Sequence, residues 1–150
     1  MPLTLTSMFN HNEDIDTKYT CQGADVSPPL AIANVPLSAK SLVLLVDDPD
    51  APDPEHPEVV WDHWVLFNIP PDTTSIPEGE SLGITGKNSW GKNKYGGPCP
   101  PTGKHRYFFK LYALDTELTL RKSATKAAVE AAMDGHVLEK TELIGLYEKS

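Results

Sequence analysis

The run Ser41-Leu42-Val43-Leu44-Leu45-Val46-Asp47-Asp48-Pro49-Asp50-Ala51-Pro52 decides the fold. Its first half is aliphatic without alternation, which is how a strand reads when both its faces are covered inside a sheet. Its second half is a carboxylate- and proline-rich turn just past the strand end, where protein scaffolds commonly present ligand groups. Working outward, Leu30–Val35, Trp61–Ile69 and His105–Leu114 read as further strands from their β-branched and aromatic content, with weaker candidates at Leu3–Thr6 and Glu142–Tyr147. The fourteen prolines, notably Pro28-Pro29, the Pro49–Pro57 cluster and the Pro98–Pro101 cluster, read as loops between these strands. One helix is expected over Ser123–Asp134, with Ser123 as N-cap, Ala124, Ala127, Ala128 and Ala131 on its packing side and Gly135 as the stop. The pattern predicts a mostly β domain with a peripheral helix near the C-terminus.

A chain of 150 residues fits one domain, 1–150, and buries roughly 68–70% of its unfolded surface without needing disulfides. The formal net charge of −8 excludes general nucleic-acid binding, which needs a basic face to displace phosphate counterions. The first residues lack a basic, apolar leader, and no stretch approaches the ~20 apolar residues of a membrane span, so a cytoplasmic protein without membrane insertion is expected. The two cysteines, Cys21 and Cys99, lack CxxC spacing. Free thiols in a reducing compartment are the expectation, and a Cys21–Cys99 bridge is the alternative, since each lies in a turn-rich segment.

Between Ser81 and Leu114 this acidic chain has no Asp or Glu, while Lys87, Lys92, Lys94, Lys104, Arg106 and Lys110 all fall there. The stretch contains Tyr95-Gly96-Gly97-Pro98-Cys99-Pro100-Pro101-Thr102-Gly103, followed at once by His105-Arg106-Tyr107. Adjacent glycines let a backbone approach a ligand closely or take φ > 0, exposing N–H groups as an anion nest. The lysines themselves read as solvated surface. Strand alternation puts Trp61, His63 and Val65 on one face, and His105 with Tyr107. If those two strands are neighbours, two imidazoles and a phenol converge, and a bound anion would favour the protonated, donating histidine. Asp48 either orients a histidine or accepts a ligand amine. X-Pro bonds in the Asp48–Pro52 run and Gly97-Pro98 are candidates for cis peptides.

At these residues the chain closely resembles the phosphatidylethanolamine-binding protein family, also called the Raf-kinase-inhibitor-protein family, in its shorter bacterial and archaeal branch. The resemblance is carried by Asp48-Pro49-Asp50-Ala51-Pro52, by Trp61-Asp62-His63-Trp64 and by Tyr95 to Tyr107. Tyr19 to Leu30 fits the N-terminal pattern, and His136-Val137-Leu138 and Gly145-Leu146-Tyr147 the C-terminal one. It implies a large central β-sheet, a second smaller sheet and one or two peripheral helices near the C-terminus. It also implies a small pocket for phosphate- or phosphorylethanolamine-like anions formed by Asp48, Asp50, Trp61, His63, Gly97, Pro98, His105 and Tyr107. Family members act as binding and regulatory proteins, some inhibiting kinases or serine proteases, with no known cofactor; a homodimer is expected by analogy alone.

The leading expectation is therefore a non-enzymatic binding module for a small phosphate- or carboxylate-bearing ligand, regulating a kinase or serine protease partner. A small hydrolase is the alternative, with Cys99 or a water activated by His63 or His105 and Asp48 as orienter, though no nucleophile-elbow signature surrounds Cys99. A metal site at Asp48, Asp50, His63 and His105 is the third reading, without HxH or HxxxH spacing to support it.

Overall fold

In the computed structural model, which describes residues 1–150, the chain forms β1 (Thr4–Thr6), β2 (Glu13–Asp14), β3 (Leu30–Ala33), β4 (Ser41–Asp53), β5 (His56–Ile69), β6 (Ser75–Ile76), β7 (Ile84–Thr85), β8 (His105–Leu114), α1 (Lys126–Met133) and β9 (Val137–Tyr147). A six-stranded sheet has the order β2-β9-β8-β4-β5-β7, and a three-stranded sheet the order β1-β3-β6. All pairings are antiparallel except β2 with β9. The expected mostly β architecture of two unequal sheets and a late helix is the one observed.

β4 is central, and its alternate residues feed two different cores. Leu42, Leu44 and Val46 point into the layer between the sheets, with Trp64, Leu66, Phe109 and Leu111 of the large sheet and Leu5, Leu30, Ile32 and Ile76 of the small one. Val43 and Leu45 point the other way, to Val65, Phe67, Val129 and Met133 under α1. Each fully buried aliphatic or aromatic side chain contributes roughly 1.5–3 kcal/mol, which explains why β4 carries no polar residue from Leu42 to Val46.

Two local expectations fail for identifiable reasons, and one is met in part. The Pro49–Pro57 cluster is not a loop: β4 and β5 continue through it as a hairpin in which Pro52 faces Pro57. The ladder tolerates these prolines because its register is irregular between Asp48 and Pro52, where donors are not all required. Ala51-Pro52 is the cis bond, so Gly97-Pro98 is trans. The helix starts later than predicted, capped by Thr125, whose hydroxyl accepts the Ala128 N–H; Val129 and Met133 are its buried residues, Ala124 and Ala128 pack with them as expected, and Ala127 and Ala131 are exposed. Gly135 ends it at φ +80, as expected.

Candidate functional site

The register of β5 on β4 shapes the site. Val46 pairs with Trp64, but the next residue, Asp47, pairs with Asp62, so His63 is left without a partner in a bulge. A bulge re-aims side chains that strict alternation would place elsewhere. Alternation put His63 with Val65; instead Val65 packs under α1, while the His63 ring lies edge-on to Tyr107 with centroids 5.2 Å apart. Trp61, opposite Asp48, reaches the same cavity. Asp62, opposite Asp47, turns toward α1, where Lys126 Nζ lies 3.0 Å from a carboxylate oxygen of each.

β4 separates β5 from β8, so the strands carrying His63 and His105 are not neighbours as supposed. Tyr107 spans the gap: its ring is 5.2 Å from that of His63 and stacks on that of His105 at 6.3 Å. A cavity of about 660 Å³ opens at this end of the large sheet, and Asp48, Trp61, His63, Gly97, His105 and Tyr107 all line it. Asp50 and Pro98 stand behind the wall. Asp50 accepts from the backbone N–H, Nε and Nη2 of Arg106 at 2.9, 3.0 and 2.9 Å, which holds its carboxyl below the usual range. The Pro98 carbonyl accepts the Cys21 N–H at 3.1 Å.

The two imidazoles do different work. His63 Nδ1 lies 2.7 Å from the Gly96 carbonyl, which can only accept, so Nδ1 carries the hydrogen and Nε2 keeps a lone pair with no partner in the protein. Burial pushes His63 down to about 4, so it is neutral at pH 7. His105 is fully buried, and its Nε2 donates to the carbonyls of Thr102 and Pro52 at 2.8 and 3.1 Å. Its Nδ1 shares a proton with Asp48 Oδ2 at 2.6 Å, leaving no nitrogen to reach a ligand. Burial raises the Asp48 carboxyl, against the opposing pull of His105 and of the Asp50 N–H, which Asp48 Oδ1 accepts at 2.7 Å. The expected pair of donating imidazoles is thus replaced by one neutral ring at the wall and one that fixes Asp48.

The expected nest is also absent. Neither Gly96 nor Gly97 has positive φ, and their N–H groups are consumed by the His63 carbonyl at 2.9 Å and by Asp25 Oδ1 at 2.8 Å. The glycines serve close approach instead: a Cβ on Gly96 would lie 2.3 Å from the Trp90 ring, and one on Gly97 2.4 Å from the Tyr19 carbonyl oxygen. What the cavity does offer is the Tyr107 hydroxyl, which is buried and makes no hydrogen bond of normal geometry, although the Asp48 carboxylate lies near enough to draw on it. Burial, followed by the nearby Asp48 charge, raises its pKa, so it remains a neutral donor.

Sequence reasoning missed Trp90, Asp25 and Glu58, which also line the cavity. Trp90 is edge-on to both Trp61 and His63, at 5.4 and 5.2 Å. Its signal was a large aromatic inside the carboxylate-free stretch. Lys92 and Lys94 lie at the mouth, exposed, consistent with the solvated-surface reading.

Cys21 and Cys99 form a disulfide at the cavity's edge, which overturns the free-thiol expectation. Both sit in turns brought together by Cys21 N–H to Pro98 O and by Tyr95 Oη to Tyr19 O at 2.8 Å, a proximity that sequence spacing does not encode. The bridge removes the thiol nucleophile of the hydrolase alternative. No group of three or more His, Cys, Asp or Glu side chains is placed to hold a metal ion. No helix is long and apolar enough to cross a membrane.

Two packed sheets with a small, partly polar cavity at one end of the larger define a binding-protein architecture rather than a particular chemistry. The family model for phosphatidylethanolamine-binding protein matches residues 6–148, and the chain belongs to that family. It is 50% identical over 151 residues to a UPF0098 protein of Methanothermobacter thermautotrophicus, covering 96% of this chain and 97% of the relative. Among solved structures it resembles a phosphatidylethanolamine-binding protein homolog from Chlamydia trachomatis, with TM-score 0.94, 43% identity and 99% of each chain covered. It also resembles YbcL of E. coli, with TM-score 0.87, 29% identity and all of both chains covered.

Proposed function

We propose that this chain is a non-enzymatic binding protein whose cavity takes a small phosphate- or carboxylate-bearing ligand, with Asp48, Trp61, His63, Gly97 and Tyr107 as contacts and His105, Asp50 and Pro98 as their supports. The observation that carries the reading is the Tyr107 hydroxyl, a buried donor with no well-formed protein hydrogen bond, beside Asp48 and a histidine with an unused nitrogen. Buried polar groups are rarely left unpaired, and a ligand oxygen satisfies this one. The bridged Cys99 supplies no thiol nucleophile and the fully engaged His105 no free base, which supports binding over catalysis and leaves His63 Nε2 as the one free base of the cavity. Titration with phosphate or phosphorylethanolamine, followed by the ring signals of His63 and Tyr107, tests the reading. Shifts that saturate are expected, and resonances unmoved at millimolar ligand refute it.

We extend the proposal to regulation of a protein partner, a kinase or a serine protease, on family membership alone; inhibition assays against both classes test that extension. Location is a separate matter. Disulfides persist in oxidising compartments and in the cytosol of hyperthermophiles but are rare in other cytosols, so the Cys21–Cys99 bridge weighs against an ordinary reducing cytoplasm.

A further inference from the structure

The acid-free stretch Ser81–Leu114 extends well beyond what the cavity uses. A second stretch, Leu118–Val129, also contains no Asp or Glu. The fold packs one against the other: the Lys87 N–H donates to the Ala124 carbonyl at 2.8 Å, and Asn93 Nδ2 donates to the carbonyls of Thr85 and Lys122. Lys87, Lys92, Lys94, Arg121 and Lys122 are thereby gathered at one surface, all of them exposed. None of them makes an ion pair. Of the chain's 13 lysines and arginines five are ion-paired elsewhere, so this one surface holds five of the eight that are not.

The loop that carries three of these cations is held in one shape. Asn88 is buried, its side-chain oxygen accepts the N–H groups of Trp90 and Lys92 at 2.9 and 3.0 Å, and its Nδ2 donates to the Lys94 carbonyl at 2.8 Å. A framed loop keeps like charges together that a slack one would let drift apart, and crowding them without a counter-charge costs stability. Within the same loop Trp90 stays 45% exposed, edge-on to Trp61. Tryptophan is among the side chains that most often carry binding energy between proteins, and cations around such a centre steer and orient an oppositely charged partner.

We infer that this surface docks a short acidic segment of a protein partner, with an apolar side chain of the segment on Trp90 and its carboxylates facing the five cations. The inference gives the partner extension above a surface and a chemistry, and it does not rest on the ligand proposed for the cavity. A narrow occupant is favoured because exposed acids bound the patch: Glu58 on the cavity side, Glu80 and Glu117 ahead of the two acid-free stretches, and Glu130 after the second. A planar anionic bilayer or a long nucleic acid spans these acids and the rest of a chain of net charge −8. Fields at a protein surface fade over about 8 Å at physiological ionic strength, so a segment confined to the patch meets the cations alone. A second copy docking patch to patch would set cation against cation.

Fluorescence anisotropy of a labelled peptide of Glu-Glu-Leu repeats, spanning about 40 Å when extended, titrated with the unmodified protein tests the inference. Saturable binding is expected, at least about tenfold tighter than that of a Gln-Gln-Leu control and weakening severalfold as salt is raised. The triple variant Lys87→Glu, Arg121→Glu, Lys122→Glu changes exposed residues away from the cavity and is expected to lose at least about tenfold in affinity. Lys40→Glu, Lys140→Glu, Lys149→Glu changes the net charge equally at exposed, unpaired sites elsewhere and should stay within about twofold. If the first variant does not fold, the comparison of the two peptides on the unmodified protein decides alone. Four results each overturn the inference: no acidic-peptide binding at millimolar protein, equal binding of the two peptides, equal losses in the two variants, or displacement of the peptide by phosphatidylglycerol vesicles. None of them bears on the cavity, whose ligand is read separately from the His63 and Tyr107 ring signals.

Discussion

His105 Nδ1 lies 2.6 Å from Asp48 Oδ2, with the imidazole fully buried and the carboxylate 4% exposed. The same ring donates through Nε2 to Thr102 and Pro52, so one side chain ties the proline-rich loop, the Asp48–Pro52 run and β8 together. Breaking a buried charged pair by deleting one member costs far more than the pair's net worth, because the remaining group is stranded.

Replacing His105 by Phe is therefore expected to destabilise the fold by about 3–5 kcal/mol. Asp48→Asn keeps an acceptor for Nδ1 and should cost less than half as much. Urea denaturation of the two variants checks the order. A His105→Phe midpoint matching that of the unmodified protein would show that the pair does not hold the site together.

His63 predicts a pH dependence of stability. Folding depresses its pKa from 6.5 to about 4. The unfolded chain therefore binds the extra proton between those values, so stability is fully present above 6.5 and is lost as pH falls toward 4. At about 1.4 kcal/mol per pKa unit the loss amounts to about 3 kcal/mol. Asp50, depressed by Arg106, loses its contribution only as pH falls below the ordinary 3.8, so the two windows are separable. Denaturation midpoints across this range should fall less steeply in His63→Gln than in the unmodified protein; parallel curves would exclude His63 as the cause.

The bridge predicts a loss on reduction. Cys21 and Cys99 are 78 residues apart, and closing a loop of that size restrains the unfolded chain by about 4.5 kcal/mol on the chain-entropy relation. Dithiothreitol, or the pair Cys21→Ser and Cys99→Ser, is expected to remove that amount without unfolding the cavity wall. The Gly97 N–H to Asp25, Tyr95 hydroxyl to Tyr19 and Cys21 N–H to Pro98 bonds remain. Thiol counting in denaturant without reductant should find no free thiol, and two would contradict the structure.

Much of the fold was legible because hydrophobic patterning and burial speak the same language. Leu42 to Val46 announced a strand covered on both faces, and His105–Leu114 has the predicted bounds. The convergence of Asp48, Trp61, His63 and Tyr107 on one cavity was legible too. Its chemistry was not. Residue types do not reveal that β4 separates the two histidine strands, that a one-residue bulge turns His63 inward, or that Asp25 and the His63 carbonyl consume the glycine N–H groups. Each of these depends on register and long-range pairing, which local sequence specifies weakly. The cysteines failed for the same reason: their approach follows from packing of two turns, not from spacing.

Behind the cavity, on the opposite face of the same strands, Asp47 and Asp62 stand as cross-strand partners. Like charges so placed repel, and the fold answers with Lys126 at the start of α1, 3.0 Å from both, and Lys110, 2.9 Å from Asp47. Lys126 donates a hydrogen bond to Asp47, whereas its contact with Asp62 Oδ1 lacks hydrogen-bond geometry and is electrostatic. Lys126 is 13% exposed and Lys110 27%, so the first is the less screened of the two. Lys126→Met leaves one cation for two facing carboxylates and removes the tether of α1. A loss of about 1–3 kcal/mol is expected, with faster amide exchange across Val129–Met133. Lys110→Met, which leaves Lys126 in place, should cost less. The reverse order of the two variants would mean that α1 is held by Val129 and Met133 alone, with the ion pairs incidental.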